Sequence, residues 1–461
     1  MEILKKTIDV LIVSIPVTFS TYPPAAPAIL ISMLKHYGYT SEFYDFNAYA
    51  RDDADVQNFA INQDTPSDLT NLNSLMMHHV NKILEYNPKF VGLSVFTYQC
   101  TQMAKLLCIY LKLHAPDVKI IVGGQGLPTG GINGKNIGSV WEELKICDYW
   151  VISEGEYPIV DIVSGKFKNK DTWTQIDNLD EFPNPDYSSY DWSLYLRTLP
   201  ITGSRGCVRR CTFCDIHQHW KKYVFRSGKS IAREMIEQSE RYNINYFEFT
   251  DSLINGSMKA YKDLINVLAE YNSKTDKKIT WGGQFIFRPK NQFPEDVWEL
   301  SARAGLTEVK VGIESLSESV RDHMLKKFSN DDIRYGLRCM KKYGVLGKFL
   351  MIVGYVTDTE ETIAENKDMY TELVEYANNT ITEVSIGTTL GILPGTPLET
   401  MSKELNITLS DQENAWIGTS TLTTRLQWRK DLINHATELG YYVPENDEQQ
   451  VFINKLESQY A

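Results

Sequence analysis

The chain has 461 residues, 43% of them hydrophobic and 23% charged, with a formal net charge of −12. That length exceeds what one hydrophobic core usually supports, so two or three domains are expected, and the composition leaves little room for long disorder. The acidic balance offers no global positive field to gather a phosphate backbone, which argues against a nucleic-acid partner.

From the N-terminus, Met1 to Lys6 lead into the apolar run Val10 to Ile15, too short for the core of a signal peptide and without a small-residue cleavage site. No stretch approaches the roughly 20 apolar residues of a membrane helix. A cytoplasmic, reducing setting is expected, in which seven cysteines serve as ligands or core thiols rather than disulfides. Cys100, Cys108, Cys147 and Cys339 are scattered and read as buried thiols.

The first part alternates short apolar runs with helical patterns, the signature of a parallel sheet covered by helices. Strands are expected at Asp9 to Ile15, Ser41 to Asp45, Phe90 to Val95, Lys119 to Val122 and Tyr149 to Ile152. Helices are expected at Ala25 to Tyr37, ended by Gly38, at Asn73 to Glu85 and at Thr101 to His114. Residues 1–165 therefore read as an open, doubly wound, Rossmann-like α/β domain, which takes ligands beyond the carboxyl ends of its strands. Over 166–198 the periodicity fails and Pro, Asn and Asp accumulate, which reads as a linker.

Alternation resumes over 199–398. Strands are expected at Leu199 to Gly203, Tyr246 to Thr250, Ile279 to Phe285, Glu308 to Gly312, Lys348 to Val353 and Glu383 to Leu390. Helices intervene at Ser230 to Tyr242, Ser257 to Asn272, Pro294 to Ala304, Asp331 to Tyr343 and Glu360 to Asn378. Six βα units fall short of the eight that close a TIM barrel, so a partial (β/α)6 barrel is expected. Residues 399–461 read as a small mixed, partly helical region that caps a substrate site.

Cys207, Cys211 and Cys214 lie within eight residues on the loop after the first strand of this second part. Two kinds of site use such thiolates. A structural zinc needs a fourth ligand, for which His217 and His219 are at hand. An iron–sulfur cluster with three protein ligands leaves one iron free for a small molecule. Arg205, Arg209 and Arg210 flank the cysteines, where positive charge offsets an anionic cluster or meets a carboxylate. The two histidines read more readily as packing residues than as catalytic ones, and no catalytic residue is assigned.

This C-x3-C-x2-C, with the aromatic Phe213 before its last cysteine, resembles the signature of the radical S-adenosylmethionine superfamily. The resemblance implies a [4Fe-4S] cluster on the three cysteines and S-adenosylmethionine chelated to the fourth iron. It also implies a deoxyadenosyl radical that takes hydrogen from the substrate, and an electron donor such as flavodoxin or ferredoxin. Further similar segments are Thr250-Asp251-Ser252, where the polar motif contacts the cofactor's amino group, and Gly312-Ile313-Glu314-Ser315, where Glu314 contacts the cofactor. Gln284, Arg288 and Phe213 are weaker cofactor contacts, and Gly354 stands where backbone approaches adenine. Val356 to Thr362 depart from the pattern of relatives, which have Pro-Gly-Glu-Thr there. Leu393 to Leu398 is again similar.

The first domain resembles the cobalamin-binding module of one large subfamily, through Pro23-Pro24, Asp45-Phe46-Asn47, Gly92-Leu93-Ser94, Val122-Gly123-Gly124 and Glu154-Gly155-Glu156. Ser94, Gly123, Gly124 and Gln125 are the implied cobalamin contacts, with the two glycines letting backbone approach a large flat ring. No Asp-x-His-x-x-Gly is present, so the lower axial position would be open or water-bound. What the resemblance implies is a cobalamin-dependent radical enzyme that methylates an unactivated carbon, or less commonly phosphorus, of a small molecule or peptide. Ring formation, rearrangement or oxidation without methyl transfer is the alternative inside the superfamily. Methylthiolation of transfer RNA is disfavoured by the acidic balance. A zinc-stabilised binding protein is the alternative from another class.

Overall fold

Val10, Leu11, Ile12 and Val13 all have 1% or less of their surface exposed. Consecutive side chains of a strand point to opposite faces, so a run buried throughout belongs to a parallel strand covered on both sides. In the computed structural model of the chain, residues 7–16, 21–54, 56, 59, 69–127, 135–168, 174–410 and 414–444 are described. The expectations for Met1 to Lys6, for the linker residues 169–173 and for residues 445–461 lie outside these. Two units divide at Pro200 and Ile201.

In the first unit that run forms β1 (Ile8–Ser14), joined by β2 (Ser41–Asp45), β3 (Pro88–Ser94), β4 (Lys119–Gly123) and β5 (Tyr149–Val151). All pairs are parallel, in the order β2-β1-β3-β4-β5. This is the flavodoxin-like order, whose switch point falls between β1 and β3. Helices Ala25–His36 and Thr101–His114 stand where the pattern put them, and Gly38 takes the left-handed conformation (φ 86°) expected of a cap. Helix Leu69–Leu84 begins four residues before the expected Asn73. Cys100, Cys108 and Cys147 lie in the core with at most 4% exposure, and burial pushes their thiols up, to about 12 for Cys147.

The stretch expected as a linker instead packs on this unit. Asp186 N–H donates to Ala28 O (3.0 Å), Tyr190 OH to Pro24 O (2.8 Å) and Tyr195 OH to the Asp45 carboxylate. The Tyr190 ring stacks on Phe43 at 4.3 Å. Its apolar content sits in separated tyrosines that follow no helix or strand period, so only tertiary contacts reveal its burial.

β6 (Thr198–Ile201) crosses the division and leads into a two-stranded antiparallel ribbon of the second unit, β7 (Ser204–Arg205) with β8 (Val224–Phe225). β9 (Tyr246–Phe249), β10 (Thr280–Phe285), β11 (Leu306–Glu314), β12 (Leu346–Met351) and β13 (Ile381–Ile386) follow. The six-stranded sheet runs β13-β12-β11-β10-β9-β6, in sequence order. Helices between successive strands make this the expected (β/α)6 arrangement, an α/β fold with parallel sheets. Helix Asn330–Tyr343 shows why the pattern was readable. A Ser329–Asp332 capping box starts it, Ile333, Leu337, Cys339 and Met340 form its buried stripe, and Gly344 (φ 71°) ends it.

Residues beyond 399, opaque to periodicity, cover the free edge of this sheet. Val384 N–H of β13 donates to Tyr442 O (2.9 Å), and Tyr441 OH to Tyr370 O (2.9 Å). Among the described residues no helix is long and apolar enough to cross a membrane.

Candidate active site at the carboxyl ends of the strands

The cysteine loop leaves the second sheet through β7, turns at Gly206 (φ 80°) and is tied down from three directions. Thr212 N–H donates to Met324 O (3.3 Å), Leu398 N–H to Thr212 O (2.9 Å), and the Thr212 hydroxyl meets Tyr355 OH (2.6 Å). Phe213, expected as a cofactor contact, packs against a cluster that includes Val320, Met324, Tyr355 and Leu398 and so anchors the loop. Cys211 is buried, and Cys207 and Cys214 are half-buried. Burial pushes the Cys211 and Cys214 thiols up, to about 11 for Cys214, while Lys326 and Arg209 draw Cys211 back toward the thiolate.

His217 Nε2 lies 2.6 Å from Arg209 O, and His219 lies 3.8 Å from Asp215. Both histidines thus face their own loop. Among the described residues no three His, Cys, Asp or Glu side chains converge on a point that one shared ion would occupy. A cluster places each thiolate on a different iron and needs no such convergence. The donor set fits it: soft sulfur ligands beside cations. The Arg209 guanidinium is half-buried, and its Nε has no hydrogen-bond partner among the described residues.

Asp251, expected at the cofactor's amino group, is 4% exposed and spends both oxygens on its own chain. Oδ2 accepts from Gly203 N–H (2.8 Å) and Oδ1 from the Ser204 hydroxyl. It therefore fixes the turn from β6 into the cysteine loop, while Ser252 beside it is exposed. Burial raises Asp251 to about 7, against the pull of these bonds. Gln284 is half-buried on β10, opposite Lys310 in the register. Arg288 is not a free surface charge. Its Nη2 donates to Asn255 O (2.8 Å) and Gly256 O (3.1 Å) and its Nη1 to Gln292 (3.2 Å).

Glu314 ends β11 with a left-handed backbone (φ 65°), just past a register shift. Its Oε1 accepts from Lys326 Nζ at 2.9 Å, with both side chains 13% exposed or less. A Cβ on Gly312 would run into the Glu314 carboxylate and stand 3.1 Å from Lys326 Nζ, so Gly312 leaves room for this pair. Lys326 was missed in the sequence, where Lys326-Lys327 resembles any solvated pair. Burial works against its charge, yet Glu314 and the sulfurs of Cys211 and Cys207 raise its pKa above the usual lysine range.

Gly354 (φ 73°) lies against the C-terminal segment: a Cβ there would stand 2.5 Å from Arg425 Cγ and 2.8 Å from Arg425 Cβ, so that arginine by itself demands a glycine. Arg425 has no exposed surface, lies over Trp416 at 3.7 Å, and donates to carbonyls of Asn414, Trp416 and Ser420. The segment it organises meets the carboxyl ends of β12 and β13: Thr419 OH donates to Val356 O (2.8 Å) and Trp416 Nε1 to Leu390 O (3.0 Å).

In the first unit, Ser94 and Gly123 fall in the last row of the sheet, Asp45–Ser14–Ser94–Gly123–Val151. Here one of the two glycines, Gly124, is required by the chain's own packing. A Cβ on Gly124 would strike Val95 O, whereas one on Gly123 would make ordinary contact with Val151 O at 3.7 Å. Gln125 is exposed. The loop after β3 also presents Phe96 and Tyr98, 61% and 55% exposed, and Tyr22 after β1 is 45% exposed. Three exposed aromatics at strand ends beside the switch point suit a large planar ligand such as a corrin. The aromatics were legible in the sequence, but their exposure was not.

Residues 201–370 match the profile of the Radical SAM superfamily. Among curated proteins the chain is similar to an anaerobic magnesium-protoporphyrin IX monomethyl ester cyclase of Rubrivivax gelatinosus, 22% identical over 76% of this chain and 62% of that protein. It is also similar to a bacteriochlorophyllide d C-12(1)-methyltransferase of Chlorobaculum tepidum, 26% identical over 57% of this chain and 53% of that protein. The chain thus spans about half to three-fifths of the length of these two relatives. Among solved structures it shares the fold of OxsB, a cobalamin-dependent S-adenosylmethionine radical enzyme (TM-score 0.70, 17% identity, 99% of this chain and 71% of that one). It likewise shares the fold of TsrM, a radical S-adenosylmethionine methyltransferase from Kitasatospora setae (TM-score 0.66, 18% identity, 88% and 81%).

Proposed function

From a chain that carries a radical S-adenosylmethionine domain, we propose a cobalamin-dependent enzyme that methylates an unactivated carbon of a small molecule or peptide. The observation that carries the reading is the three-cysteine loop at the end of β6, fastened at Thr212 and flanked by the buried Glu314–Lys326 pair. Bound there, a [4Fe-4S] cluster supplies the electron that breaks a sulfonium carbon–sulfur bond of S-adenosylmethionine, and a cobalamin in the first unit supplies a transferable methyl group.

The chain's own residues hold and position. Cys207, Cys211 and Cys214 ligate. Asp251 fixes the approach to their loop, and Glu314 keeps Oε2 for the cofactor while Oε1 receives Lys326. Ser94 offers a hydroxyl at the switch point of the first unit, where Phe96 and Tyr98 offer ring faces. The domain match, the methyltransferase named among the relatives and the fold shared with OxsB and TsrM support methyl transfer. The cyclase relative favours a second reading, ring formation without methyl transfer. An external one-electron donor of the flavodoxin or ferredoxin kind belongs to either.

Anaerobic reconstitution with iron, sulfide and hydroxocobalamin tests the proposal. The full chain should then form deoxyadenosine or demethylated cofactor from S-adenosylmethionine under a low-potential reductant. Cys211→Ala should abolish this and Cys339→Ala should not. The cob(II)alamin form should show no nitrogen superhyperfine splitting in its electron paramagnetic resonance spectrum. Turnover by Cys211→Ala overturns the cluster, and failure to retain cobalamin overturns methyl transfer. A product heavier by one methylene unit separates the methylation reading from the cyclase reading.

A further inference from the structure

Backbone strain in the second unit gathers around one ion pair. Eight non-glycine residues among those described have positive φ, and four are asparagines, which tolerate the left-handed region. Of the other four, Glu314 (φ 65°), Leu325 (φ 61°) and Lys327 (φ 58°) surround the Glu314–Lys326 pair. A chain keeps such neighbours only where other contacts over-determine them, and such places cluster at functional sites.

Those contacts are present. Arg321, with no exposed surface, donates from Nη1 to Ser315 O (2.6 Å) and from Nε to Phe328 O (3.4 Å), clasping the two segments that carry Glu314 and Lys326. Asn366 Oδ1 accepts from Leu316 N–H (2.6 Å) on the same side. The bond from Thr212 N–H to Met324 O joins the lysine's loop directly to the stretch between Cys211 and Cys214.

A lysine on a loop ordinarily extends its ammonium into water. Lys326 is instead 8% exposed, aimed inward by left-handed residues on both sides. A buried ion pair is weak evidence of a stabilising role, because desolvation offsets much of the attraction. Glu314 opposes the lysine's charge at Cys211, but the lysine's influence there is the larger of the two, so the pair still presents positive charge to the cysteine loop. Arg209, a second cation that interacts with Cys207 and Cys211, is half-buried on the cysteine loop itself.

We propose that Lys326 is a charge-tuning residue, its ammonium fixed beside the cysteine loop to offset the negative charge added when a cluster held there accepts one electron from a low-potential donor. This rests on the iron–sulfur reading above. The test is the midpoint potential of the reconstituted full chain, followed spectroscopically during reductive titration, with iron and sulfide content measured alongside. Lys326→Met should keep the cluster but make its reduction at least tenfold less favourable, about 59 mV lower for a one-electron couple. Lys326→Arg should restore most of the shift. Two results overturn the proposal: a wild-type potential in Lys326→Met at full iron content, or equal cluster loss in both variants with native circular dichroism, which would make shape rather than charge the requirement. A wild-type chain that takes up no iron and sulfide refutes the underlying reading instead, so the two failures are distinguishable.

Discussion

Gly354→Ala isolates the contact that fastens the C-terminal segment to the second sheet. Two costs add. Alanine at φ 73° enters the left-handed region, at roughly 1–2 kcal/mol. Its methyl group would also stand 2.5 Å from Cγ and 2.8 Å from Cβ of Arg425, and that side chain cannot retreat, because its guanidinium is held by carbonyls of residues 414, 416 and 420. Forced overpacking of this kind costs about 1–3 kcal/mol. The expected loss is therefore roughly 2–5 kcal/mol in the urea unfolding of the second unit, followed by tryptophan fluorescence. In an Arg425→Gly background, which removes Cβ together with Cγ, the collision disappears and only the backbone cost remains, so a double-mutant cycle should show a coupling of about 1–3 kcal/mol. Additivity within about 0.5 kcal/mol would refute the assignment.

Two further expectations follow from buried carboxylates. Glu314→Gln should weaken S-adenosylmethionine binding by roughly 1.5–3 kcal/mol at unchanged iron content, measured by anaerobic equilibrium dialysis; an unaltered dissociation constant would leave Glu314 only its bond to Lys326. Asp251 is raised by burial to about 7, above the roughly 3.9 of an unfolded chain, so its contribution to stability is complete below about pH 4 and is lost as pH rises through 7. The unfolding free energy of wild type minus that of Asp251→Asn should thus fall between pH 4 and 7 and level off above, and a flat difference across that range would show that Asp251 does not titrate there.

The strands and helices were legible from residue order alone, because burial on both faces of a parallel sheet requires runs such as Val10 to Val13, and a helix with one buried face requires a stripe such as Ile333, Leu337 and Met340. The three cysteines were legible in the same way, since ligand type and spacing lie within eight consecutive residues. What surrounds them was set by contacts between distant parts of the chain. Asp251 and Gly354 stand out in the sequence, yet their bonds and clashes, to Gly203 and Ser204 and to Arg425, come from residues far along the chain. Tyr187, Tyr190 and Tyr195 are buried without periodicity. Lys326 reads as a surface lysine until the left-handed backbone at Leu325 and Lys327 turns it inward. Periodicity records which face of an element is covered. It carries no record of which distant side chain does the covering, nor of a backbone angle that neither leucine nor lysine prefers.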